Sequence, residues 1–523
     1  MSSRPDHNGL NGAESLVHTL SRSGIETCFA NPGTSEMHFV AALDRVGGIR
    51  CVLGLQENVV TGMADGYFRI AGKPATSLLH CGPGLANGLG NLHNARRARS
   101  GIVNIVGDQA TWHRPFDAPL TTDTEAIARV ASDWVKTTTH SSEVGRDAAS
   151  AVQIARRTGG GIATLILPSD ASWDAGGVVS GPLPDLQPAA IDQHLVETAA
   201  RVLRDHGASS LILLGGSGMM EQAQAAAWRL ANATGADLMG EYVCPRISRG
   251  RGRVPLDRVP YSNAAAQKAL WRYSHIILVG ARAPVGFFGY PGQPSVLHNP
   301  STVFHTLSRT DQSPADALKQ LCDAVNAPPV VIKDPGPRPQ AAIGAPTPEG
   351  LAQTVAALMP ANAIISDESI SYGRGFYKQT FAAPPHDWLY LTGGAIGDGL
   401  PVATGAAIAA DGQRRIISLQ ADGSAMYSLQ SLWTQAREKL PVTTIILSNR
   451  KYEILINEYA NVGATPGATA MNMLDLSKPD INWCDIARGM GVEAARADTL
   501  EQCADLMRQS FSQQAPFLIE LMV

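Results

Sequence analysis

RRIISLQADGSAMYSLQSLWTQAREKLPVTTIILSNRKY (414–452) is the stretch on which the fold turns. An apolar run, RRIISLQ (414–420), leads into Ala421-Asp422-Gly423-Ser424. A helical stretch follows, and a second apolar run, TTIILSN (443–449), closes on Ser448-Asn449. Strand, helix and strand in that order predict a parallel pair whose ends share one sheet edge, the edge at which open α/β folds bind ligands. Asp422 brings a carboxylate to that edge and Asn449, 27 residues on, an amide oxygen. Hard oxygen donors of this kind suit Mg²⁺, which also keeps phosphate oxygens and water around it. Gly423 lets a backbone come close to phosphates, and Ser424 is expected to begin a helix whose N-terminus favours anions. Asp-Gly-Ser alone is more often a turn, with the Asp capping the next helix. The full order strand, Asp-Gly-Ser, helix, strand, Asn is what points to a metal and phosphate site.

The same alternation extends outward. ATSLLH (75–80), GIVNIVG (101–107), ATLILP (163–168), SLILLGG (210–216) and HIILVGA (275–281) are further predicted strands. Their apolar runs are continuous, which fits strands covered on both faces. Two Pro/Gly-rich passages, DAGGVVSGPLPDLQP (174–188) and VNAPPVVIKDPGPRPQAAIGAPTP (325–348), break the rhythm and predict linkers. The expectation is α/β with three doubly wound parallel-sheet domains, at 1–175, 190–330 and 345–523. A chain of 523 residues has the length for three domains of roughly 100–200 residues.

Charge narrows the function classes. With 42 basic and 46 acidic residues there is no basic stripe for nucleic acid and no polybasic run for an anionic membrane. The start, MSSRPDHNGLNGAESL, is polar and predicts neither signal peptide nor membrane span. Cysteines 28, 51, 81, 244, 322, 484 and 503 form no CxxC pair, so they read as buried thiols in a reducing compartment, with the cytoplasm expected.

In CVLGLQENVVTGMADGYFRIAGKP (51–74), a buried strand, CVLGLQ, is expected to deliver Glu57 at its end, ahead of a helix. On spacing alone, a surface carboxylate near a helix start explains Glu57 better than catalysis does. In HCGPGLANGLGNLHNARRA (80–98), Gly82-Pro83-Gly84 reads as a turn and Asn87 as the start of the next helix. His80 closes TSLLH, and a lone strand-end His is more often a structural hydrogen-bonder than a catalyst.

These motifs together resemble the thiamine-diphosphate-dependent decarboxylase and acetolactate synthase superfamily. The family carries GDG followed some 25–30 residues later by NN; here Ala421 and Ser448 replace the first residue of each. The resemblance runs along essentially the whole chain and is greatest to benzoylformate decarboxylase and acetolactate-synthase-like catalytic subunits. It implies pyrimidine-binding, middle and diphosphate-binding domains, with Asp422, Asn449 and the main-chain carbonyl of Lys451 holding Mg²⁺. Glu57 would hydrogen-bond the cofactor's aminopyrimidine and promote loss of the thiazolium C2 proton, a task suited to a carboxylate in an apolar cleft. His80 would handle a substrate or intermediate proton. Gly33 and Thr34 in NPGTSEMHF (31–39) and Ser369 in DESISYG (367–373) fall on cofactor loops. Ile396 in TGGAIGDGLPVATGAA (392–407) takes the position of the apolar wedge that bends the cofactor, and Gly423, Ser424, Asn449 and Tyr452 complete the set.

The resemblance implies a 2-oxo acid substrate and, for carboligation, an aldehyde or ketone acceptor. It places the cofactor between the first block of one subunit and the third of another, so a homodimer is the minimum and a homotetramer common. Two departures matter. Phe288 in PVGFFGYPGQPS (284–295) faces the place of a second catalytic His of benzoylformate decarboxylase. Acetolactate synthases bind FAD in the middle domain, but LLGGSGMM (213–220) lacks a Gly-x-Gly-x-x-Gly fingerprint, so FAD is not expected. ILINEYANVGATPGATAMNML (454–474) reads as a covering loop, with Leu455 and Phe288 expected to line an apolar pocket. Three functions follow: a flavin-free decarboxylase or lyase, a carboligase joining two pyruvates without FAD, or an inactive cofactor-binding protein with a regulatory role.

Overall fold

The computed structural model describes residues 9–373 and 375–523; the polar start at 1–8 lies outside them. Three sheets carry the chain. In chain order the first holds β1 (Thr27–Asn31), β2 (Arg50–Leu53), β3 (Ala75–Leu79), β4 (Ile102–Asp108), β5 (Trp134–Thr137) and β6 (Ile162–Pro168). They lie parallel in the order β2-β1-β3-β4-β6-β5. Next come β7 (Ser210–Leu214), β8 (Asp237–Gly240), β9 (Arg246–Arg249), β10 (Asp257–Arg258), β11 (His275–Val279) and β12 (Val303–Ser308). All but β9 form the second sheet, ordered β10-β8-β7-β11-β12. The third contains β13 (Ile364–Glu368), β14 (His386–Tyr390), β15 (Ile416–Ala421), β16 (Val442–Ser448), β17 (Glu493–Ala497) and β18 (Phe517–Met522). Its order is β17-β18-β16-β15-β13-β14-β9, parallel except that β9 runs antiparallel to β14. Helices supply most of the parallel crossovers, the β11–β12 connection being a helix-free loop, and the α/β architecture expected from the alternating runs is the one observed.

The apolar runs became strands for the expected reason. Every residue of β3, β4, β6 and β16 is buried. Residues 176–192 and 327–347 carry neither helix nor strand. No helix among the described residues is long and apolar enough to cross a membrane.

Two compact units emerge. One joins residues up to Gln187 to Gly393–Gly412 and Ser428–Leu440; the other holds Pro188–Thr392, Gln413–Tyr427 and Pro441–Val523. In the first, the Glu57–Ala71 and Gly399–Ala410 helices meet backbone to backbone. A methyl group on Gly66 would stand 2.1 Å from the Val402 carbonyl oxygen, and one on Gly405 1.9 Å from that of Met63. Only glycine permits so close a crossing.

Several local expectations change. β2 is a short edge strand with Arg50 and Cys51 exposed, so CVLGLQ is not a buried strand and Cys51 is the one exposed thiol among the seven. Edge strands have one flank open, and a Cys there meets solvent. Gly82-Pro83-Gly84 lies within a helix, Cys81–Asn87, rather than a turn, and Asn87 ends that helix. Residues 454–474 hold two short helices, Glu453–Val462 and Ala468–Met473, neither with a buried residue.

Candidate active site

In the first unit, Glu57 opens the Glu57–Ala71 helix and is 9% exposed. The strand stops at Leu53; Gln56 caps the helix, its side-chain oxygen accepting from the Val59 N–H at 3.1 Å, and so turns Glu57 inward. The Asn87 amide donates to Glu57 Oε2 at 3.1 Å. Gly84 lies against Glu57 Oε1 on one side and the His80 Cβ on the other, at 3.1 and 3.4 Å from the place a methyl would take.

His80 sits at the start of the Cys81–Asn87 helix, one residue past β3, its side chain 25% exposed. Its Nδ1 lies 2.9 Å from Glu36 Oε2. Glu36 is 3% exposed and is a site residue that sequence reasoning missed. The Gly33 N–H donates to Glu36 Oε2 at 2.7 Å and the Ser35 hydroxyl to Oε1 at 2.5 Å, while Ser35 Oγ is also 3.0 Å from Cys81 Sγ. Burial pushes the Cys81 thiol up to about 11, and hydrogen bonding to Ser35 offsets part of this, so it stays protonated near neutrality. Cys81 adopts φ 53, a left-handed conformation that is uncommon for a side-chain-bearing residue. Gly33 faces the His80 ring, 2.2 Å from where its methyl would fall, and Thr34 begins the short turn that carries Glu36. A Glu three residues beyond a Gly at a turn start was the legible hint of Glu36.

Ile396 is half-exposed in a Gly-rich loop held by the Leu89–Ala98 helix. The Asn94 amide donates to the Ala395 carbonyl at 2.7 Å, that of Asn91 to Gly397 at 3.2 Å, and the His93 ring meets the Gly393 carbonyl at 3.1 Å. These polar side chains lie on a helix that reads as ordinary surface, and no local signal marks their role.

In the second unit, register brings three strand ends level. Glu368 pairs with Gln420 and Ala421 with Leu447, so Ser369, Asp422 and Asn449 follow adjacent strands at one edge. Asp422 is 3% exposed and opens a single helical turn, Asp422–Ala425, two residues earlier than the expected start at Ser424. Its Oδ1 accepts from the Gly423 N–H at 2.8 Å and its Oδ2 from that of Arg450 at 2.7 Å. Burial raises its carboxyl above the usual range, opposed by those backbone bonds. Ser424 Oγ donates to the Ala421 carbonyl at 3.1 Å. Ser369 donates from backbone and hydroxyl to buried Asp367, at 3.0 and 2.5 Å.

Asn449 Oδ1 accepts from the Lys451 N–H at 3.1 Å. The chain then pairs with 474–476 through Arg450 O and Tyr452 N, at 2.9 Å each, and this ladder leaves the Lys451 carbonyl out. The ring of Tyr452 lies on Gly423, 2.5 Å from where a methyl would project. Gly423→Ala therefore forces the ring and its loop aside, an overpacking worth about 1–3 kcal/mol. A thermal melt of the variant is expected to show the loss as a Tm several degrees below wild type. A cavity of about 590 Å³ opens beside Asn449, Arg450 and Lys451, lined also by Ile456, Met471 and Leu474. Phe288 and Leu455, expected to line an apolar pocket, are 54% and 48% exposed, and neither borders this cavity. Phe288 instead packs between Phe287 and Tyr290.

The chain belongs to the thiamine pyrophosphate enzymes. Residues 10–129 match the family's N-terminal TPP binding domain and 375–521 its C-terminal TPP binding domain. Within that class it is a thiamine-diphosphate-dependent enzyme of the acetolactate synthase and benzoylformate decarboxylase family. It is 47% identical to the Mycobacterium tuberculosis protein named "Putative acetolactate synthase large subunit IlvX", across 98% of this chain and 99% of that one. To the benzoylformate decarboxylase of Pseudomonas aeruginosa it is 28% identical, across 96% and 97%. Among solved structures, the Rhodococcus jostii RHA1 thiamine diphosphate-dependent 4-hydroxybenzoylformate decarboxylase superposes with a TM-score of 0.82 at 26% identity, covering 98% of each chain.

Proposed function

We propose that the protein breaks or forms a carbon–carbon bond next to the carbonyl of a 2-oxo acid, with thiamine diphosphate and Mg²⁺, and that loss of CO₂ begins the cycle. The observation that carries this reading is buried Glu57, turned inward at a helix start and fixed by Asn87. A carboxylate so placed is suited to share a proton with a ring nitrogen of the cofactor.

The donors at the third sheet fit a hard cation. Asp422 is oriented by two backbone N–H groups with lone pairs to spare, Asn449 offers an amide oxygen, and the Lys451 carbonyl lies outside the local ladder. These three residues would hold Mg²⁺; Gly423, Ser424 and Ser369 would face the diphosphate, with Tyr452 closing over Gly423. Gly33, Thr34 and the half-exposed Ile396 would meet the rest of the cofactor. When bound, the cofactor supplies the nucleophile and the electron sink for the carboxylate's departure. His80 moves a proton at Nε2 on the side of the site away from Glu36. Homodimeric or homotetrameric assembly and a cytoplasmic setting belong to the same reading.

A second reading, pyruvate carboligation without FAD, is favoured by the 47% identity to a protein bearing an acetolactate synthase name. A panel of aliphatic and aromatic 2-oxo acids, with CO₂ and carboligation products both measured, separates the two. Aldehyde release supports the first, and acetolactate from pyruvate the second. No CO₂ and no ligated product from any acid, with cofactor and Mg²⁺ present, sinks both.

A further inference from the structure

His80 is joined to the protein through one ring nitrogen only. Its Nδ1 points to Glu36, at 2.9 Å from Oε2 and 3.3 Å from Oε1, and among the described residues no side chain bonds its Nε2. The Glu36 carboxylate is itself fixed by Gly33 and Ser35 and is almost wholly buried, the His80 ring partly open. We propose that Glu36 is a positioning residue that holds the proton of His80 on Nδ1 and so assigns the exchangeable proton to Nε2.

This rests on the 2-oxo acid chemistry proposed above and names a residue for it. A carboxylate accepting from one imidazole nitrogen fixes the tautomer and the plane of the ring. The proton balance closes locally. Protonated His80 gives the Nε2 proton to the reacting carbon; the other proton stays on Nδ1, bonded to Glu36; solvent then returns a proton to Nε2. Ser35 and Cys81 brace the arrangement, since the hydroxyl lies 3.2 Å from His80 Nδ1 and 3.0 Å from the thiol.

The charged and titratable groups around the ring are few. Glu36 comes from the Thr34–Glu36 turn and Cys81 from His80's own helix. Glu57 lies across Gly84, and Asp108 ends β4, 3.4 Å from Arg114. Of these, Glu36 alone bonds the ring, so it decides which nitrogen carries the fixed proton.

The test uses the full-length enzyme and does not depend on turnover for its first arm. The ring nitrogen that carries the proton is read by ¹⁵N NMR of histidine-labelled, cofactor-free protein, with the His80 signals assigned by their loss in His80→Ala. In Glu36→Gln the Nδ1-protonated tautomer of His80 is expected to give way to a mixture of the two tautomers. In the loaded enzyme, Glu36→Gln is expected to lower kcat about tenfold or more, as loss of an oriented acid–base group does. In a His80→Ala background the same change is expected to alter kcat less than about twofold, because both substitutions act on one unit. Glu36→Asp, which keeps the charge on a shorter stem, keeps the Nδ1-protonated tautomer but loses part of kcat. An unchanged tautomer in Glu36→Gln, independent losses in the double variant, or an undiminished kcat in Glu36→Asp each overturns the assignment. A wild-type protein inert to every 2-oxo acid would instead remove the proposed function, while the His80 ring signals still report on Glu36.

Discussion

Glu57→Gln is expected to leave thiamine diphosphate bound and to lower turnover of every accepted 2-oxo acid about 10²–10⁴-fold, the usual worth of a positioned acid–base group. The substitution keeps size and the hydrogen bond from Asn87 on one side-chain oxygen, and removes the charge. Burial at 9% exposure means that water cannot stand in for the missing carboxylate. Calorimetric titration with the cofactor, alongside steady-state rates, separates loss of chemistry from loss of binding. Turnover within threefold of wild type, roughly 0.7 kcal/mol, would show that Glu57 is a helix-start carboxylate and nothing more.

The second large effect concerns the other sheet. Asp422→Ala is expected to abolish Mg²⁺-dependent binding of the cofactor under conditions that saturate the wild type. Loss of a group that merely supports a metal ligand already costs about 10–100-fold in metal affinity, and Asp422 is proposed as a ligand itself. The same change frees the N–H groups of Gly423 and Arg450, so the loop that carries Asn449 and Lys451 loses its anchor as well. Protection of the protein against thermal unfolding by cofactor plus Mg²⁺ gives the readout, because ligand stabilisation follows the logarithm of concentration over Kd. Undiminished protection in the variant would remove Asp422 from the metal site.

What could be read in the residues, and what could not, divides along physical lines. Strands buried on both faces announce themselves as continuous apolar runs, so β3, β4, β6, β7, β11, β15 and β16 were legible within a residue or two. Strand β9 was not: Arg-Ile-Ser-Arg has no run to detect, and it is a strand because it pairs with β14. Asp422 and Asn449 were legible because each follows directly on such a run. Glu57 was legible in position but not in setting, since the edge strand before it ends early and Gln56 rather than the sheet turns it inward. Glu36 escaped because its partner His80 lies 44 residues away, and the local Gly-x-x-Glu signal speaks for a turn cap but not for burial. Asn91 and Asn94 escaped for the same reason, their acceptors lying more than 300 residues along the chain.

Those last bonds bear on how the protein comes to exist. The unit that holds Glu57 and His80 also takes in Gly393–Gly412 and Ser428–Leu440, and its two glycine-paired helices come from distant parts of the chain. During synthesis the first sheet can form early, but its unit lacks the Gly399–Ala410 helix and Ser428–Leu440 and is not whole until residues near 440 have been made. At about 5–20 residues per second, some 250 further residues correspond to a delay of roughly 13–50 s with apolar surface exposed. The unit that holds Glu57 is thus among the last parts to be completed, although many of its residues are among the first to be made.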